Sequence, residues 1–311
     1  MTSEGKHDTI LMVGFICYDL LFSSPHYPEE DTLVRAIDYH KRRGGNASNS
    51  CTVLSQLGAK CEVLGTFASD DYAKFLQEDL KKDGIIFSHC AIHSKFETPF
   101  TNIILSRSSG TRTILHYRSK DYIENTAEDF AKLDLSDYKW IHFEGRTIPE
   151  TLKMIDLLEA WNRNSKNPIK YSVELEKCIE STKCLLTKGS VVFVAKEFAK
   201  YLGYDNPHSA LIGLASQVNP GAVIIVPWGE QGSMARCSDG TIVKAKAYPP
   251  EVVLDSTGAG DTYIAATVFS LSNGKSVSEA IDFGNEIAGA KCGMMGYRGL
   301  NAVYEKIRNR K

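Results

Sequence analysis

Short, nearly unbroken apolar runs recur along the chain at residues 10–16, 63–67, 140–143, 171–173, 191–194 and 223–226. Runs of that length without polar alternation read as strands buried on both faces, as in a parallel sheet. Between them, apolar residues fall three and four apart, as on one face of a helix. Ala47, Cys51, Leu54 and Leu57 form one such stripe, closed by Gly58. Tyr72, Phe75, Leu76 and Leu80 form another, with Asp70 placed to cap its start and Gly84 beyond its end. Ser276 and Glu279 have capping-box spacing ahead of Ala280, Phe283 and Ile287. Strands alternating with helices predict an α/β fold, a mostly parallel sheet with helices on both faces.

Two stretches break the alternation. Residues 20–43 and 96–118 carry strand-like segments with no helix, and 101–105 and 112–117 read as an antiparallel hairpin around Arg107-Ser108-Ser109-Gly110. They predict a small inserted β-sheet beside the cleft, leaving 1–19, 44–95 and 119–311 to the α/β domain.

Composition narrows the function classes. The 311 residues suffice for one large α/β domain or two smaller ones. A net charge of −2 with no basic stripe argues against nucleic acid as a partner. The apolar runs are too short to cross a bilayer, and the polar, mixed-charge residues 1–9 do not resemble a signal peptide. Eight scattered cysteines lack the paired spacing of a zinc site and read as reduced thiols of a cytoplasmic protein. His89 and His93 are four apart but in a β-rich stretch, so they are not taken for a metal pair.

The densest chemistry lies at Asp255-Ser256-Thr257-Gly258-Ala259-Gly260-Asp261, directly before a helical run at 262–271. Glycines opening a helix leave bare N–H groups at its positive end, a natural seat for phosphate. An aspartate inside such a cradle repels the anion, but it makes sense as a base for a hydroxyl attacking phosphorus. A second constellation, Gly44-Gly45-Asn46-Ala47-Ser48-Asn49, starts another helix. Its glycines permit close approach of a ligand. Asn46 and Asn49 share a helical face and can both donate to and accept from a polyhydroxylated molecule; the alternative is that Asn46 merely caps the helix. Asp19 follows the first strand, at the end where open α/β sheets bind ligands; taken alone, it could equally be a loop aspartate making a local turn. Arg112, at the start of a hairpin strand, has the forked donors that suit phosphate, although a solvent-facing strand arginine is the commoner case. Pro227-Trp228-Gly229-Glu230 ends a buried strand. No Walker A loop and no three-glycine dinucleotide fingerprint are present, which disfavours a dehydrogenase.

The two glycine motifs, in this order and separation, resemble the signatures of the ribokinase-like, phosphofructokinase-B type sugar kinases. The resemblance covers nearly the whole chain and implies ATP-dependent phosphorylation of a free sugar, a ketohexose in the first instance. Another sugar or a nucleoside as substrate, or a non-catalytic sensor on the same fold, are the alternatives. It implies Asp261 as catalytic base, with Gly258, Ala259 and Gly260 as the anion hole. Asp19, Gly45, Asn46 and Asn49 would hold the sugar. Arg112 and the segment Pro227, Trp228, Gly229 and Glu230 would meet the nucleotide. The inserted sheet would act as a lid and as the clasp of a homodimer, bringing Asp31 to the neighbouring sugar pocket. Mg²⁺ would travel with ATP, and K⁺ would sit near Asp255 and Thr257. The family's Asn-x-x-Glu motif stands here as Val194-Ala195-Lys196-Glu197, with only Glu197 left to act on the Mg²⁺ shell through water.

Overall fold

The computed structural model describes residues 7–310. The chain opens with β1 (Thr9–Val13), β2 (Cys17–Ser24), β3 (Asp38–Gly44), α1 (Asn46–Gln56), β4 (Cys61–Leu64) and β5 (Thr66–Phe67). It continues through α2 (Asp71–Lys82), β6 (Ala91–Ile92), β7 (Phe100–Ser106), β8 (Arg112–Tyr117), α3 (Ala127–Phe130) and β9 (Tyr138–Glu144). Next come α4 (Ile148–Asn164), β10 (Lys170–Leu175), β11 (Val191–Val194), α5 (Lys196–Tyr201), α6 (Pro207–Leu214) and β12 (Val223–Pro227). The last elements are β13 (Ser233–Arg236), β14 (Ile242–Ala245), α7 (Ala259–Ser272), α8 (Val277–Cys292) and α9 (Leu300–Arg308).

Eight strands form the main sheet, in the order β14-β13-β12-β11-β10-β9-β1-β4. From β4 to β12 the neighbours are parallel, whereas β13 and β14 add an antiparallel edge. The pleat divides the core in two. Ile10, Met12, Trp140 and Phe193 face a layer containing Ile264 and Val268 of α7. Leu11, Val13, Ile141, Phe143 and Val173 face the opposite layer, with Met154, Ile155 and Leu158 of α4. Burial on both faces explains why these strands show no polar alternation.

Three expected helix signals are realised. The Asp70 carboxylate accepts from Ala73 N–H, Ser276 and Glu279 close a capping box, and the stripe at 47, 51, 54 and 57 is buried. Two strand readings change. The run at 63–67 divides between β4 and β5, and β1 stops at Val13, so the chain is free to enter a different sheet at Cys17.

That second sheet has the order β3-β2-β7-β8 and stands apart from the first. The expected hairpin is β7 with β8, antiparallel from Phe100↔Tyr117 to Leu105↔Arg112. The boundaries expected from the sequence shift slightly: Cys17, Tyr18 and Asp19 belong to β2, and Gly44 ends β3. No helix among the described residues is long and apolar enough to cross a membrane.

Candidate active site

Helix α7 begins where the sequence suggested a cradle. Gly258 is its N-cap, in left-handed conformation at φ 73°, and no side chain caps the end. The first-turn N–H groups therefore have no partner within the helix. A Cβ at Gly258 would fall 1.8 Å from the Tyr297 hydroxyl, so this glycine is required by the chain's own packing. A Cβ at Gly260 would meet nothing within 4 Å. Open space beside uncapped amides is what a phosphate needs.

Asp261 sits in the same turn, only 8% exposed, and its Oδ2 accepts from Asn49 Nδ2 at 2.8 Å. One turn earlier on α1, Asn46 Nδ2 donates to Glu176 Oε2 at 3.0 Å, and Lys177 Nζ donates to the same oxygen at 2.6 Å. Asn46 is thus not the helix cap. Gly45 is, at φ 97°, again without a side-chain cap. Burial pushes the Asp261 carboxyl up to about 7; the Asn49 hydrogen bond opposes this, and the carboxylates of Glu176 and Glu144 reinforce it. A carboxyl poised there can hold or release a proton near neutral pH.

Gly44 and Gly45 are explained by protein atoms. A Cβ at Gly44 would lie 2.1 Å from Asp19 Oδ2, and one at Gly45 would lie 2.2 Å from the Phe15 carbonyl. The smallness of Gly44 seats Asp19, which is 8% exposed and accepts from Cys17 Sγ at 3.3 Å. Burial raises its carboxyl above the usual range.

Several polar groups at the carboxyl ends of β9 and β10 gave no separate signal in the sequence. Glu144 accepts from Phe15 N–H at 2.8 Å and is paired with Arg146. Glu174 stands in register beside it and is 6% exposed, its carboxyl group without a hydrogen-bond or ion-pair partner among the described residues. Alternation along β9 and β10 would have put both on the α7 face, once strand ends were known.

The remaining expected residues scatter. Arg112 donates from the small sheet to Ser256 Oγ, beside the cradle. Trp228 is 4% exposed and packs in the α4-side core layer. Pro227 ends β12, while Gly229 and Glu230 form the following turn. Glu197 is exposed in the first turn of α5. Asp31 is exposed on the β2–β3 loop, at φ 59°.

Asp255 is 2% exposed, and its oxygens are fully engaged. Oδ2 accepts from Arg42 at 2.7 Å, Lys291 at 3.1 Å and Gly296 N–H at 3.1 Å. Oδ1 accepts from Thr257 N–H at 2.9 Å, and the carbonyl accepts from Lys291 Nζ at 2.7 Å. This donor set does not fit the potassium ion expected at Asp255 and Thr257, because a third cation would face two already in contact with the carboxylate. For phosphate the surroundings do fit: open space at Gly260, an uncapped helix start where Ala259 N–H reaches the Ser256 carbonyl at 3.3 Å, and Arg112 nearby.

This is the arrangement of a phosphoryl-transfer enzyme. The pfkB family carbohydrate kinase pattern matches residues 8–301, and the chain belongs to that family. Ketohexokinase of Mus musculus is 43% identical over 293 residues, covering 94% of this chain and 98% of its own. The 5-dehydro-2-deoxygluconokinase of Bacillus licheniformis is 25% identical, covering 92% of this chain and 90% of its own. In fold, the chain superposes on ribokinase from Giardia lamblia with TM-score 0.83 at 13% identity, covering 98% of this chain and 100% of the other. It superposes on Arabidopsis thaliana ribokinase complexed with ribose and ATP with TM-score 0.77 at 18% identity, covering 97% and 98%.

Proposed function

We propose that this carbohydrate kinase transfers the γ-phosphoryl of ATP to a ketohexose, fructose at its 1-hydroxyl in the first instance. The observation that carries the reading is the convergence of the Asp261 carboxylate, the uncapped start of α7 and the open space at Gly260. Similarity to mouse ketohexokinase at 43% identity supports the ketohexose as substrate.

In this reading Asp19, Asn46 and Asn49 grip sugar hydroxyls, with Gly44 leaving room for the Asp19 carboxylate and Gly45 lining the same turn. Asp261 orients the attacking hydroxyl and accepts its proton late, since a loose transition state asks little of the nucleophile. The amides of Gly258, Ala259 and Gly260, with Arg112, stabilise charge on the moving phosphoryl. Mg²⁺ bound with ATP neutralises phosphate charge; Glu197, exposed at the start of α5, fits as a carboxylate for its water shell. The small sheet serves as lid and homodimer clasp, supported by exposed Tyr39, Ile114, Leu115 and Tyr117. A second copy would bring its Asp31 toward the sugar pocket; a monomer by light scattering would remove the clasp. Eight free thiols support a cytoplasmic setting.

The purified protein is assayed with ATP across a ketose panel, the phosphate position in the product being read by NMR. Fructose 1-phosphate is the expected product, and absence of turnover with every ketose overturns the reading. Asp261→Asn is expected to keep ATP binding and lose turnover by about 10²-fold or more.

A further inference from the structure

The cradle loop is held from outside its own domain. Arg42 lies on β3 and Arg112 on β8, the two edge strands of the small sheet. They bond to consecutive residues, Asp255 and Ser256, just ahead of Gly258. Arg42 also stands directly opposite Asp19 in the β2–β3 register. One side chain thus connects the strand pair carrying the proposed sugar contact to the loop that opens the phosphate cradle.

Charge balance does not explain Arg42. Lys291, with its side chain wholly buried, already neutralises Asp255 from α8. A buried carboxylate needs one such partner to avoid the cost of an uncompensated charge. Arg42 adds a second cation, and its own side chain keeps 17% exposure. What it adds is position: a tie between two sheets.

We propose that Arg42 is a positioning residue, tying the small sheet to the anion cradle through Asp255 so that the cradle is set for transfer only when that sheet lies over the cleft. The idea rests on the kinase reading above and concerns how the same site is assembled.

Arg42→Ala tests it, because Lys291 remains to neutralise Asp255 and the fold is expected to survive. The expected result is a fall in kcat of about 10–100-fold, the size of loss that a displaced catalytic group produces. Sugar KM should change less, and Tm should stay within about 3 °C. Arg42→Lys should restore most of the rate. Hydrogen exchange of the amides at 256–261, measured without ligand, should quicken in the Ala variant and not in Lys41→Ala, a neighbouring exposed control. Wild-type-like kcat and exchange in Arg42→Ala overturn the proposal. Equal losses in the Ala and Lys variants with a large Tm drop also overturn it, by making Arg42 merely structural. Should the wild type phosphorylate no ketose while the exchange effect persists, the substrate reading fails and the tie stands.

Discussion

The starts of α1 and α7 look alike in the sequence, each a glycine pair followed by polar residues, yet they use their glycines differently. At α1 the missing side chains are replaced by protein: the Asp19 carboxylate against Gly44 and the Phe15 carbonyl against Gly45. At α7, Gly258 is likewise claimed by its φ of 73° and the Tyr297 hydroxyl, but Gly260 has neither a positive φ nor a neighbour within 4 Å. Glycine in a helix's first turn costs stability relative to alanine. A helix that accepts that cost beside empty space, at an end no side chain caps, is leaving room for something outside the chain. The first motif shapes a pocket by packing, and the second keeps a surface clear.

Alanine substitutions separate the two. The largest effect is expected for Gly45→Ala, where a left-handed backbone and an immovable carbonyl at 2.2 Å act together. A loss of about 3 kcal/mol or more is expected from such strain and overlap, read as a fall in the denaturation midpoint. Unchanged stability would mean that the α1 start is looser than its geometry implies. Gly260→Ala should do the opposite. Stability should hold or rise by up to about 1 kcal/mol in denaturant, while kcat falls about 10–100-fold as the methyl fills the phosphate space. Normal turnover in that variant would erase the distinction between the two motifs.

How much of this was legible in the sequence follows the same division. Gly258 to Asp261 could be read because a helix opening on glycines with an embedded carboxylate is a local pattern. The parallel strands could be read because burial on both faces removes alternation. The antiparallel strands β13 and β14 were missed, although Asp239-Gly240 lies in the turn that joins them. The ties between Arg42, Lys291 and Asp255 join residues 213 and 36 positions apart, and no local signal announces such a pairing. Three consecutive cations, Lys41, Arg42 and Arg43, look alike in the sequence, but of them only Lys41 is exposed, since Arg43 is buried against Asp79 and Asp83. Trp228 shows the converse limit, a strand-end aromatic being equally suited to a core layer, where its ring packs, and to a ligand.

The smallest effect belongs to the side-chain bond from Asn49 on α1 to the Asp261 carboxyl on α7. With burial holding the Asp261 carboxyl at about 7, the base is ionised above that pH and protonated below it. The free enzyme's kcat/KM should therefore fall about tenfold per pH unit on the acid side of 7 and level off above it. Asn49 donates to the ionised form and so opposes the upward shift. Removing that donor in Asn49→Ala should move the acid limb to higher pH, by several tenths of a unit to about one unit. A limb that stays in place would show that the two helix starts do not share a proton-holding site, whereas a limb moving to lower pH would reverse the role given to Asn49.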